Sequence, residues 1–197
     1  MIRVGRSTYD NRGKIVYPSY DDYEQVIVIM KSHSKYWPLS PYYLKDEEGR
    51  IMENLWQFSK IYEVVPESKQ TYSRFDPTII WKYPKEVHID KNGSILPAYW
   101  NWREKGMNNE YAVRYPVGFK NKSLCKYCIP DYDHTQKLDY VNSRIEIYVP
   151  IYCELVKKDK QFLDLKKKLN NDVNLLIIEP DGPHQESMEY YKSEWDG

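Results

Sequence analysis

Residues 36–62, YWPLSPYYLKDEEGRIMENLWQFSKIY, join a proline-marked loop to a stretch whose polar side chains are spaced to meet. Pro38, Ser40 and Pro41 punctuate the loop, and Pro41 biases Ser40 away from helical geometry. A charged turn, Lys45 to Arg50 with Gly49 near its end, leads into Ile51–Tyr62, which lacks Gly and Pro and predicts one helix. At about 100° per residue, Ile51, Leu55, Phe58 and Tyr62 fall on one apolar stripe. Glu53, Gln57 and Lys60 form a second stripe nearly opposite, with Trp56 at its margin. Such a stripe is either a solvated outer face or, with an indole beside it, the wall of a small polar pocket. Helical periodicity leaves both open.

Working outward, the length of 197 residues suits one well-buried core and predicts a single domain over 1–197. The 29 basic and 29 acidic side chains cancel, which excludes a broad cationic footprint for unspecific nucleic-acid binding and leaves room only for a local patch. No apolar run approaches the roughly 20 residues of a membrane span, and MIRVGRSTYD lacks the apolar segment of a signal peptide. The expectation is a cytoplasmic protein with no membrane partner. Cys125, Cys128 and Cys153 give no disulfide framework. The 20 Tyr and 6 Trp, against 4 Phe, serve either ring-binding pockets or a core in which Tyr replaces Phe.

Residues 1–24 read as a short hairpin or an irregular arm. Gln25–Met30 is a continuous β-branched run of strand length, and it feeds His33 and the central loop. Thr78–Tyr83 and Val87–Asp90 are short strand candidates, and Lys91–Gly93 a turn. Ala98–Lys105 is helical up to Gly106, and its Tyr99, Trp100 and Trp102 either line a cavity or fill the core. Arg114, in RYPVG, suits phosphate or carboxylate recognition by its planar fork, or ties down a loop by bonding carbonyls.

Cys125, Cys128 and His134 supply three of the four ligands a structural zinc requires, so no metal is assigned. From Leu138 to Leu169 apolar residues recur at helical spacing in two or three pieces, with Pro150 interrupting or restarting the run. The lysines at 157–160 and 166–168 read as the solvated side of these helices. Val173–Glu179 is a second buried strand. It ends at Pro180–His184, where Asp181 and His184 are either a reactive pair or a plain turn. Residues 186–197 are expected to be a tail that holds one short helix through Met188 and Tyr191 and then frays.

The stretch LSPYYL…DEEGRIMENLWQFSKIY resembles the opening signature of the NADAR (YbiA-like) family: a Ser-bearing loop, a Gly-containing turn, and a helix carrying Glu, an aromatic–Gln pair and Lys. The matching positions are Leu39, Ser40, Pro41 and Tyr42, then Gly49, then Glu53, Trp56, Gln57 and Lys60. The strand LLIIE before Asp181 is similar to that family's late hydrophobic stretch, which precedes a functional Asp. The resemblance implies an α+β, mainly helical domain with a small sheet. It implies binding of ADP-ribose, or hydrolysis of the N-glycosidic bond between ADP-ribose and a nucleobase, without a cofactor. In that setting Glu53 and Asp181 are the expected catalytic carboxylates, Glu53 assisting water attack on a ribosyl cation-like centre. Lys60 or Arg114 neutralises the diphosphate, Trp56 stacks on a ring, and Gln57 bonds ribose hydroxyls or amides. Ser40 and His184 complete the expected substrate contacts. The partner is an ADP-ribose-containing small molecule or an ADP-ribosylated nucleic acid. Two other classes stay open: a non-catalytic nucleotide-binding protein, and a nucleic-acid interaction module built on the aromatic segment 97–119.

Overall fold

The computed structural model describes residues 1–28, 35–65, 79–80, 86–114 and 119–179. In chain order the strands are β1 (Ile2–Arg6), β2 (Thr8–Tyr9), β3 (Ile15–Val16), β4 (Tyr23–Ile27), β5 (Lys60–Tyr62) and β6 (Val64–Val65). They continue with β7 (Ile79–Ile80), β8 (Glu86–Val87), β9 (Ala112–Val113), β10 (Cys125–Cys128) and β11 (Asn174–Glu179). The α-helices are α1 (Met52–Gln57), α2 (Pro97–Met107), α3 (Tyr140–Ser143), α4 (Val149–Val156) and α5 (Lys160–Asn170), and a π-helical turn, Arg144–Tyr148, joins α3 to α4. The class is mixed α+β with small sheets, and helix exceeds strand among the described residues. None of the described helices is long and apolar enough to cross a membrane.

The chain forms two compact units. The first takes residues 1–44 and 153–184. Its sheet is ordered β1-β11-β4, with both neighbours parallel to the central β11. The aliphatic run in β11 earns that place, because Leu175, Leu176 and Ile178 are buried, as parallel sheets require of their centre. The other expected strand begins earlier than its β-branched run, at Tyr23, and its last two expected residues lie outside the described ones. Of the two readings of residues 1–24, the hairpin holds for β2 and β3, which pair antiparallel, while β1 joins the main sheet. Ser40 follows a 3-10 turn, Trp37–Leu39, and is extended (φ −68°, ψ 139°), as a residue before proline should be.

The second unit takes residues 45–152 together with 185–196, of which the latter lie outside the described residues. Gly49 turns at φ +81°, and Asp46 accepts from the backbone and Nε of Arg50, closing the charged turn. The long helix expected over Ile51–Tyr62 stops at Gln57. Phe58 and Ser59 make a turn, and Lys60–Tyr62 leave as β5, antiparallel to β10. Residues far off in sequence supply that pairing, so periodicity within the stretch carries no sign of it. Helix α2 runs through Gly106 to Met107.

The core of this unit gathers Trp56, Phe58, Tyr62, Tyr99, Trp102 and Ile129, all nearly inaccessible. Tyr99 donates to Ser59 O at 3.1 Å and accepts from Arg103 at 2.9 Å, so its hydroxyl is satisfied in the interior. Within the aromatic segment 97–119, Tyr99, Trp102 and Arg103 are buried and fill the core, while Trp100 is half-buried and Tyr111 exposed. Pro150 does not end the helical run. A proline in a regular helix clashes with the carbonyl four residues back, and here the wider π turn immediately precedes α4.

Candidate functional site

Helix α1 is short, and every one of its side chains is buried. The polar stripe therefore has no solvent to face. Gln57 Nε2 donates to Glu53 Oε1 at 2.7 Å, one turn earlier on the same helix. Lys60 Nζ donates to Gln57 Oε1 at 2.9 Å. The amide carries a donor and an acceptor at its two ends, so it links acid to amine in one chain of hydrogen bonds. Relative exposures are 5% for Glu53, 3% for Gln57 and 1% for Lys60. The turn at residues 58–59 swings Lys60 out of the helix and into β5 while leaving its amine within reach of Gln57.

Burial dominates the electrostatics. It pushes the Glu53 carboxyl above its usual range, opposed by the Gln57 hydrogen bond and the charges of Lys60, Arg114 and Arg144. Burial pushes the Lys60 amine below its usual range, opposed by Cys125, Cys128 and Glu53. Both groups are moved toward neutrality, the direction that suits proton transfer near pH 7.

Trp56 is 1% exposed, and its ring is already engaged. Lys60 Nζ lies 4.9 Å from its centroid and the Arg144 guanidinium 5.5 Å. Tyr140 and Tyr148 meet the indole edge-on at 6.3 and 5.6 Å. Trp56 thus packs against the Lys60 amine, the Arg144 guanidinium and two tyrosine rings.

Of the residues singled out from the sequence, the structure brings together Glu53, Trp56, Gln57, Lys60 and Arg114, the last half-buried and acting on Glu53 through its charge. Ser40 belongs to the first unit, where its oxygens accept from the backbone N–H groups of Tyr42, Tyr43 and Leu44. Asp181 and His184 lie outside the described residues, as does His33. Sequence reasoning missed Arg144, Tyr140 and Tyr148. Their signal was available: Tyr140, Arg144 and Tyr148 stand four apart, which puts one cation between two rings along a helix side.

Cys125 and Cys128 are buried on β10, and burial raises both thiols. His134 is exposed and stacks on Trp100 at 4.5 Å. No group of three or more His, Cys, Asp and Glu among the described residues is arranged to hold a metal ion. No protein-family model matches the sequence, and neither curated proteins nor solved structures give a match.

Proposed function

We propose that the chain is a NADAR-like hydrolase with a YbiA-like fold, cleaving the N-glycosidic bond of an ADP-ribose conjugate such as an ADP-ribosylated nucleobase. The observation that carries the reading is the buried Glu53–Gln57–Lys60 chain of hydrogen bonds. Departure of a base leaves positive charge on the ribosyl carbon and ring oxygen. A carboxylate in a water-poor setting stabilises such charge and accepts a proton from the attacking water. Gln57 fixes the orientation of that carboxylate through Oε1, leaving Oε2 for the reacting centre. Lys60 holds the amide in place from its other end, and so it positions Glu53 without touching substrate.

The burial of Glu53 also fits a second reading, a nucleotide-binding protein without turnover, because a closed carboxylate limits access of water. One experiment separates the two. Incubation with DNA bearing ADP-ribosylated guanine, and with NAD-related nucleotides, is expected to release ADP-ribose, and Glu53→Gln to slow release by about 100-fold or more. Absence of product in both cases, with thermal stabilisation by ADP-ribose retained, leaves the binding reading.

A further inference from the structure

Arg144 begins the π turn and is half-buried. Its guanidinium carbon lies 3.7 Å from the Tyr148 centroid, 5.5 Å from that of Trp56 and 6.0 Å from that of Tyr140. Three rings lie against the cation, Tyr148 nearest. Cation–π contact uses the faces of the guanidinium and leaves the N–H edge for hydrogen bonds. Among the described residues, that edge bonds no carboxylate, carbonyl or hydroxyl.

Two other arginines of this unit use their forks on protein. Arg103 bonds Tyr99, the Ile129 carbonyl and Asp131, and Arg50 bonds Asp46 and Glu48. Arg144 also lies near enough to Glu53 to hold its carboxyl down, yet makes no ion pair with it. A guanidinium packed among aromatic rings, with its donor edge unspent among the described residues, is suited to take an anion from outside the chain. Its planar fork matches two phosphate oxygens. The π turn that presents it is a local irregularity of the kind helices keep at functional positions.

We propose that Arg144, caged by Trp56, Tyr140 and Tyr148, is the phosphate receptor of this site and binds the diphosphate of a nucleotide. This deepens the glycosidase reading and rests on it for the rest of the ligand. Of Lys60 and Arg114, the diphosphate partners that the resemblance implies, Lys60 donates to Gln57.

The test is calorimetric titration of the full chain with ADP, with inorganic pyrophosphate and with adenosine. Arg144→Gln, which keeps much of the side-chain length, is expected to weaken ADP and pyrophosphate by about tenfold or more. Arg144→Lys, which keeps the charge over the rings but loses the fork, is expected to fall between. Adenosine serves as the phosphate-free control, and its affinity is expected to be the same in all three proteins. ADP affinity unchanged in Arg144→Gln overturns the proposal. So does a wild-type chain that binds neither ADP nor pyrophosphate, or a loss shared equally by adenosine. Turnover of ADP-ribosylated guanine with Arg144-independent ADP binding sinks this inference alone, and Arg144-dependent ADP binding without turnover sinks the glycosidase reading alone.

Discussion

The side-chain amide of Gln57 donates to Glu53 Oε1 across 2.7 Å, with both groups cut off from solvent. Since the same amide accepts from Lys60, its removal strands an acid and an amine together. Gln57→Leu fills a similar volume but satisfies neither partner. It is expected to destabilise the chain by about 2–4 kcal/mol, as loss of a buried polar partner does. Urea denaturation measures this, and a change below about 0.5 kcal/mol, the size of an ordinary surface substitution, refutes the relay.

A pH-dependent contribution resides in the first unit. Glu24 accepts from Lys168 Nζ at 2.8 Å through both oxygens and from the Tyr36 hydroxyl at 2.6 Å. These bonds, Lys168 foremost, hold its carboxyl at about 2 against an ordinary 4.5. The folded-state value is depressed, so the contribution is complete above the ordinary value. It fades as pH falls from there toward 2, where the unfolded chain takes up its proton first. Glu24 keeps 32% side-chain exposure, and solvent screening limits the gain to about 1 kcal/mol. The stability difference between wild type and Lys168→Met is expected to be greatest above about pH 5 and to shrink toward pH 2. A difference independent of pH contradicts the assignment.

Strand β11 was legible because six consecutive positions, Asn174–Glu179, carry mostly aliphatic side chains, and no helix of that length needs such a run. The turns at Gly49 and Gly93 were legible because Asp46 and Asp90 use their carboxylates to close local loops, a property of nearby residues alone. Lys60 was not legible as a strand residue, since its partner Cys128 lies 68 positions away and no local pattern announces the pairing. The inward facing of the acid, amide and amine is not legible from helical periodicity, which leaves a solvated face and a buried one equally open. Every side chain of α1 is buried, with α2 and β9 packed against the helix and Tyr140 and Tyr148 against Trp56. The spacing of Arg144 from Tyr140 and Tyr148 is legible in the sequence, whereas the π turn over Arg144–Tyr148 has no letter in it.

Asn54 sets where α1 sits. Its Nδ2 donates to the carbonyls of Asn109 and Tyr111 at 3.2 and 2.9 Å, and its Oδ1 accepts from Val113 N at 2.8 Å. These bonds tie α1 to the chain beside Arg114. Asn54→Asp keeps the shape and the acceptor but turns two donor contacts into a carboxylate facing carbonyls, at a position with 0% exposure. The expected loss is about 3–5 kcal/mol at neutral pH. It is expected to narrow in acid, where the protonated carboxyl regains one donor. Chemical denaturation at two pH values checks both signs. A deficit that widens in acid is the contrary result.

Gly106 lies inside α2, where replacing glycine with alanine ordinarily stabilises by about 1 kcal/mol. Here the added methyl would run into two carbons of the Phe58 ring, which is fully buried and packed on Trp102 at 4.6 Å. Neither ring has space to retreat, so overpacking wins over propensity. Gly106→Ala is expected to destabilise by about 1–3 kcal/mol net. Phe58→Leu alone opens a gap at the same place, and the pair is expected to cost less than the two changes added, by about 0.5–3 kcal/mol of coupling. A double-mutant cycle read by thermal or urea denaturation measures that coupling, and strict additivity would mean that the methyl and the ring do not meet.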